Sequence, residues 1–136
     1  MSAETIVWDA ARSALGVPEM DVTHYEFVTQ VAELIASDAA AFPARFSALV
    51  EHTRAHFAAE DANMQATHFP ARSEHNSEHR RVLEEMGAFQ RALQSGRSGL
   101  ARTYVRDGIP AWFRQHLATM DSALAAHLKK QGAGVD

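Results

Sequence analysis

The sequence predicts an all-α protein, an up-down-up-down four-helix bundle with an N-terminal arm. Three observations carry that prediction. Apolar residues recur at steps of three and four in four separate stretches, turn signals divide those stretches at short intervals, and no stretch shows the alternation of a half-buried strand. A chain of 136 residues fits one domain over 1–136, and 46% hydrophobic content with 22% charge lets it bury a core without staples.

Residues 1–18 mix Trp8, Asp9, Gly16 and Pro18 without sustained periodicity and read as an ordered arm, with Trp8 as its packing anchor. The bundle is expected over 19–130. From Glu19 the positions His24, Phe27, Val28, Val31, Leu34 and Ile35 trace one face of a first helix to about Ser37. Pro43 suits the first turn of a second helix, in which Phe46, Leu49, Thr53, His56, Glu60 and Met64 share a face to about Thr67. A third helix starts near Pro70 and carries His75, His79, Val82, Met86, Phe89 and Leu93 on its seam, ending in Gln94-Ser95-Gly96-Arg97-Ser98-Gly99. The fourth pattern runs to about Lys130 through Tyr104, Val105, Ile109, Trp112, Phe113, His116, Met120, Leu124 and Leu128. Gly108 and Pro110 interrupt it, and since proline removes a backbone donor and clashes with the preceding turn, a kink or a short separate helix over 100–107 is expected. The tail from Gly132 to Asp136 is expected to fray.

Composition excludes several classes of function. With no cysteine, disulfides, thiolate nucleophiles, iron–sulfur clusters and cysteine zinc sites are ruled out, which leaves histidine, present eight times, for soft chemistry. A formal charge of -4 with no basic stripe argues against nucleic acid. No run of about 18 apolar residues is present, and the amino terminus lacks a basic region followed by an apolar one. Neither a membrane span nor a secretory signal is read, and a cytoplasmic setting is the expectation.

The stretch from His56 to His79 holds two i, i+4 pairs, His56 with Glu60 and His75 with His79, divided by a turn at Phe69-Pro70. Such pairs sit one above the other on a helix, about 5 to 6 Å apart at Cβ, so each can present two donors to one metal ion. Adding His24 on the first helix and His116 with Asp121 on the fourth, every inward face carries at least one such residue. A lone histidine on an apolar face is ordinarily a hydrogen-bonded core residue. Five of them with two carboxylates in one interior are different, because each unsatisfied group costs roughly 1 to 3 kcal/mol, and a metal supplies the missing partner. His116 and Asp121 are five apart, which turns a regular helix by about 140°. Either the two flank the inward face and the carboxylate reaches across, or a local π-bulge aligns them. Seven ligands exceed the four of a tetrahedral zinc and suit two six-coordinate irons with shared bridges. No pair has the Glu-x-x-His spacing of ferritin-like di-iron proteins. A site of five imidazoles and two carboxylates is a milder reductant than a carboxylate-rich one, which favours reversible oxygen chemistry over oxidation of substrates.

The order of His24, HFAAE at 56–60, HNSEH at 75–79 and HLATMD at 116–121 resembles the hemerythrin family, in its single-domain bacteriohemerythrin form. The arm is similar too, through Trp8, Gly16-Val17 and Asp21-Val22-Thr23-His24, and Phe69-Pro70 stands where relatives often carry Tyr-Pro. The resemblance implies two iron ions per chain. His75, His79 and His116 would hold one and His24 and His56 the other, with Glu60, Asp121 and an oxo or hydroxo group as bridges. The iron with two histidines would keep an open position for dioxygen, and small ligands such as nitric oxide or azide would compete there. The expected role is an oxygen-binding carrier or store, monomeric, rather than an enzyme. The alternatives are a di-iron enzyme acting on nitric oxide or peroxide, and an oxygen or iron sensor.

Phe113, one turn before His116, projects to the centre of the inward face with Met120, where relatives often have leucine. Together with Leu117 it is read as the apolar wall of the oxygen pocket. The remaining candidates have plainer readings. His52 is read as partly exposed or as support for the site, His68 and His127 as solvated, Met64, Met86 and Met120 as core filler, and Arg80-Arg81 with Glu84-Glu85 as a solvated helix face.

Overall fold

Short connections and helix-ending turns set the topology. In a computed structural model, which describes Ile6, Trp8, Asp9 and residues 13–135, the chain forms four helical columns joined through residues 37–41, 67–71 and 95–98. Connections this short place successive helices antiparallel and side by side. Among the described residues there is no strand, and no helix is long and apolar enough to cross a membrane. The other residues of the expected arm, 1–5, 7 and 10–12, and Asp136 of the expected tail lie outside the described residues.

Helix α1 (Pro18–Ala36) begins with a proline, whose missing N–H would have no partner at that position in any case. The Asp21 carboxylate turns back to accept hydrogen bonds from the N–H groups of Leu15 (2.7 Å) and Gly16 (3.1 Å). Helix α2 (Phe42–Ala66) uses Pro43 in the same way. It closes with His68 at φ 55°, so that the Phe69 N–H reaches the Met64 carbonyl at 2.9 Å. That left-handed turn is usually glycine's, and Gly96 (φ 80°) makes the same one after α3 (Arg72–Gln94), with the Arg97 N–H donating to the Ala92 carbonyl at 2.9 Å.

The fourth column is built from α4 (Gly99–Thr103), a π turn (Tyr104–Gly108), α5 (Ile109–His116), a second π turn (Leu117–Asp121) and α6 (Ser122–Val135). The break expected at Gly108 and Pro110 therefore takes the form of a widened turn. Pro110 lies in the first turn of α5, and a wide turn ahead of it removes the need for the hydrogen bond that its ring cannot make. A Cβ at Gly108 would lie 3.0 Å from the Tyr104 ring, which would have to shift by a few tenths of an ångström to admit it.

The second π turn decides between the two readings of His116 and Asp121. Five residues in a wide turn return to nearly the same face, and both side chains are buried. The same shift of register corrects the placement of Met120, which is half-buried at a surface cleft while Leu117 takes the interior position. Helix α6 continues to Val135, beyond the expected end at Lys130.

The interior is layered along the bundle axis. A large apolar cluster fills one end, with Phe27, Leu34, Phe42, Phe46, Leu49, Met86 and Ile109 fully covered. Each such side chain contributes about 1.5 to 3 kcal/mol by leaving water. A small cluster of Met20, Met64, Leu124 and Ala125 plugs the other end. Trp8 packs against the large cluster and meets Tyr25 edge-on at 6.0 Å, as an anchor would.

If the second π turn is one extra residue in an otherwise regular helix, deleting the exposed Ala118 should leave His116 and Asp121 aligned as an ordinary i, i+4 pair. Inserting an alanine at the same place should swing Asp121 out by about 100°. The deletion variant should then keep its melting temperature within about 4 °C, or roughly 1 kcal/mol, and keep its metal binding, whereas the insertion variant should lose the latter. Equal damage from both changes would show that the wide turn itself is required.

Candidate metal centre

Between the two apolar clusters lies a polar waist. His24 comes from α1, His56 and Glu60 from α2, His75 and His79 from α3, and His116 and Asp121 from the ends of α5 and the second π turn. All seven are buried, His56 the most exposed of them at 8%. The i, i+4 spacing on α2 and α3 stacks each pair on one face, and the facing helices bring the pairs together.

The two carboxylates divide their oxygens between two groups of imidazoles. Glu60 Oε2 lies 2.7 Å from His56 Nε2 and 3.6 Å from His24 Nε2, while Oε1 lies 3.3 Å from the Nε2 atoms of both His75 and His79. Asp121 repeats the pattern, with Oδ2 3.1 Å from His24 Nε2 and Oδ1 at 3.3 Å from His75 and 3.2 Å from His116. One side of the waist thus gathers Glu60, His75, His79, His116 and Asp121, and the other gathers His24, His56 and Glu60, with the donor atoms of each group within 4.8 Å of one another.

These residues fit a metal. The Nε2 atoms of His24, His75, His79 and His116, Oε1 of Glu60 and both oxygens of Asp121 are buried without a hydrogen-bond partner, each a cost of about 1 to 3 kcal/mol if left so. Donors about 2.1 Å from an ion and at right angles to each other lie about 3.0 Å apart, close to the spacings seen across the waist.

Without metal the waist is a proton-sharing network. Burial by itself would lower the imidazoles, but the facing carboxylates of Asp121 and Glu60 outweigh it and raise His24 and His75 from 6.5 to about 9. Burial likewise would raise the carboxyls, yet the facing histidines hold both Glu60 and Asp121 well below the usual carboxylate range. His79 goes the other way, lowered by burial and by the charges of His75 and His116 in spite of Glu60.

The structure places the remaining candidates outside the cluster. His52 is half-buried, with its ring 6.5 Å from that of His56. His68 is exposed. His127 is half-buried rather than solvated, its Nε2 3.0 Å from the Thr67 carbonyl and its ring 5.0 Å from Phe69, so it ties α6 to the turn between α2 and α3. Phe113 and Leu117 are both buried. A crevice too narrow to hold a water molecule is lined by Phe27, His56, Phe57, Trp112, Phe113, His116 and Asp121; Leu117 does not line it but packs in the same apolar cluster as Phe27, Phe57 and Phe113. Sequence reading missed Phe27 and Phe57 as lining residues. The available signal was an aromatic ring one turn from a candidate ligand, three residues after His24 and three before Glu60.

A buried cluster of imidazoles and carboxylates at the waist of a four-helix bundle defines a metal-binding helical-bundle protein. Residues 15–128 match the family model of the hemerythrin HHE cation binding domain. A bacteriohemerythrin of Ralstonia nicotianae is 33% identical over 127 residues, covering 93% of this chain and 91% of that protein. The chain belongs to the hemerythrin family. A crystal structure of a hemerythrin point mutant shares the fold, with a TM-score of 0.83 at 20% identity over 94% of this chain and 98% of that one. The family and the cluster together support a non-haem iron-binding protein.

The proton network gives the metal-free protein a signed pH dependence. His24 and His75 are raised, so the stability they contribute is fully present below about 6.5 and is lost as pH rises through about 9. Glu60 and Asp121 are depressed, so their contribution is present above the ordinary carboxylate range and is lost only in strong acid. His79, being lowered, contributes in the opposite sense and favours the fold less as pH falls through 6.5. The urea midpoint of metal-free protein should therefore decline from pH 6.5 to 9, and a bound divalent metal, which replaces the protons, should remove the decline. A midpoint that is flat for metal-free protein over that interval would show that the imidazoles hold no protons against the carboxylates.

Proposed function

We propose that the protein binds dioxygen reversibly at a dinuclear non-haem iron centre, as a carrier or store. The observation that carries this reading is the division of the carboxylate oxygens. Glu60 and Asp121 each turn one oxygen toward the three-histidine side and the other toward His24, which is what two ions sharing two bridging carboxylates require. His75, His79 and His116 would hold one ion and His24 and His56 the other. Iron bound there supplies the electrons for reversible dioxygen binding.

The chain's own residues determine what reaches that centre. With two imidazoles against three, the side of His24 and His56 has fewer protein donors and leaves room for a small ligand. The crevice that touches His56 is walled by Phe27, Phe57, Trp112 and Phe113. Phe113 stacks on Phe27 at 5.1 Å and meets the His24 ring edge-on at 5.7 Å, so it stands directly against this side. Such a wall disfavours water and anions, which would be poorly solvated there, and a small apolar molecule would enter by slight movement of its rings. A dry wall of this kind is what a reversible carrier would need beside its ligand site.

Protein produced with adequate iron should contain two irons per chain, and alanine at His24, His56, His75, His79 or His116 should lose at least one of them or the oxygen-dependent spectrum. Alanine at His68 or His127 should leave the iron content alone, although the latter should lower stability through its lost contact with Thr67. Metal analysis returning one zinc and no iron would end the di-iron reading. Stopped-flow mixing of the reduced protein with oxygen, followed by oxygen removal, should return the full reduced spectrum; sustained consumption of a reductant would point to an enzyme instead.

Phe113→Ala should be destabilised by about 3 to 5 kcal/mol while keeping its iron. It should bind azide faster and lose oxygenated protein to oxidation faster than wild type, with Phe113→Leu between them. Unchanged azide kinetics in the folded, iron-loaded variant would remove Phe113 from the ligand's path.

A further inference from the structure

Metal-binding imidazoles ordinarily donate their second ring N–H to a carboxylate or carbonyl, which fixes the ring plane and strengthens the donor. None of the five does so here. The Nδ1 atoms of His24, His56, His75, His79 and His116 are buried and have no protein group as hydrogen-bond partner. Something else must hold these rings at the angles the waist needs.

Two aromatic side chains are placed to do it. Phe57 lies parallel to His79, with 3.7 Å between ring centroids and 1° between planes, closer than the roughly 4.5 to 7 Å usual for aromatic pairs. Trp112 lies on His116 at 4.7 Å and 22°. The two rings brace each other edge-on at 6.2 Å, and Phe57 also touches His56 at 5.4 Å. Trp112 is in turn fixed from outside. Its indole N–H donates to Glu78 Oε1 at 3.3 Å, and the Arg81 guanidinium holds the same carboxylate oxygen.

We propose that Phe57 and Trp112 are positioning residues of the metal centre, setting the planes of His79 and His116 by face-to-face stacking in place of hydrogen bonds to Nδ1. The proposal rests on the metal-centre reading given above. An imidazole that donates to a cation becomes electron-poor, and the negative face of an aromatic ring attracts it more than it attracts the free, neutral ring. Stacking thus fixes orientation and favours the metal-bound form. It does so without a carboxylate at Nδ1, which would make the imidazole more basic and the metal more reducing.

The test uses cobalt(II) alone as the probe, titrated into metal-free protein and read by its visible absorption bands, with no oxygen chemistry involved. Phe57→Leu should weaken cobalt binding about tenfold, the lower end of what losing an outer partner of a ligand costs, and should shift the bands. Phe57→Tyr, which keeps the face, should restore both. Glu78→Ala, which releases Trp112, should shift the bands in the same direction by a smaller amount. In metal-free wild-type protein the His79 ring protons should resonate upfield under the Phe57 ring current, and that shift should vanish in Phe57→Leu. A folded Phe57→Leu protein with wild-type cobalt affinity and spectrum would overturn the proposal and leave the ring as core packing. If Phe57→Leu does not fold, an unchanged cobalt spectrum and affinity in both Glu78→Ala and Trp112→Leu would overturn it equally. Wild-type protein that fails to bind cobalt, or whose binding survives His79→Ala, would instead remove the metal-centre reading beneath it.

Discussion

Two carboxylates facing five imidazoles in one buried layer is the constraint on which the rest of this structure depends. Glu60 and Asp121 sit where no water competes for them, and each must satisfy partners on both of its sides. An arrangement of that kind cannot be assembled from one helix or from one pair. It needs a donor from every column, and so it fixes the relative rotation of all four. The apolar layers could tolerate a slipped helix by repacking, since cores accept varied side chains when volume is kept. The waist could not, because a slip of one turn would strand a buried charge without a partner, at several kcal/mol.

The layers on either side are unequal, and the inequality has chemical consequences. The large cluster reaches the waist through Phe27, Phe57 and Phe113, so the side of His24 and His56 meets a dry aromatic wall. The small plug of Met20, Met64, Leu124 and Ala125 closes the other end. A low-dielectric surround strengthens each interaction between imidazole and carboxylate and makes each unpartnered one costlier. The affinity of the waist for metal thus depends on the packing around it.

Much of this was legible in the sequence, for physical reasons that also mark where legibility stopped. His56 with Glu60 and His75 with His79 are four apart on regular helices, where periodicity and geometry agree, and their convergence could be read directly. His116 and Asp121 could not be placed by periodicity alone, because a π turn is invisible to a pattern of period 3.6. The residue types nominated the pair and left two ways to align it, and the π turn is the one the fold uses. The same turn accounts for the misplacement of Met120, whose position was projected on an unbroken helix. Phe57 was hidden for a different reason. It follows His56 directly, a step of about 100° on the helix, and no role was read for it; its stacking contact is with His79 on the next helix, which no single-helix projection displays. His127 was misjudged because nearness to a chain end suggested solvent, whereas the turn at Thr67 folds back to meet it.

The fourth column shows why a structure with such demands would accept irregular backbone. Its two π turns bracket α5, an eight-residue segment that carries Trp112, Phe113 and His116. A π turn is rare in helices and is frequently found at functional sites. Here the first turn accommodates Pro110 and sets the rotation of α5, so that Phe113 faces His24 while Trp112 lies flat on His116. The second then restores the register, so that Asp121 returns to the waist and Leu124 and Ala125 to the plug. A straight α-helix could present His116 inward, or Asp121, but at a spacing of five not both. The irregularity belongs to the column that supplies one imidazole, one carboxylate and two of the aromatic walls. No other column has to place that many different groups, and α1, α2 and α3 remain regular.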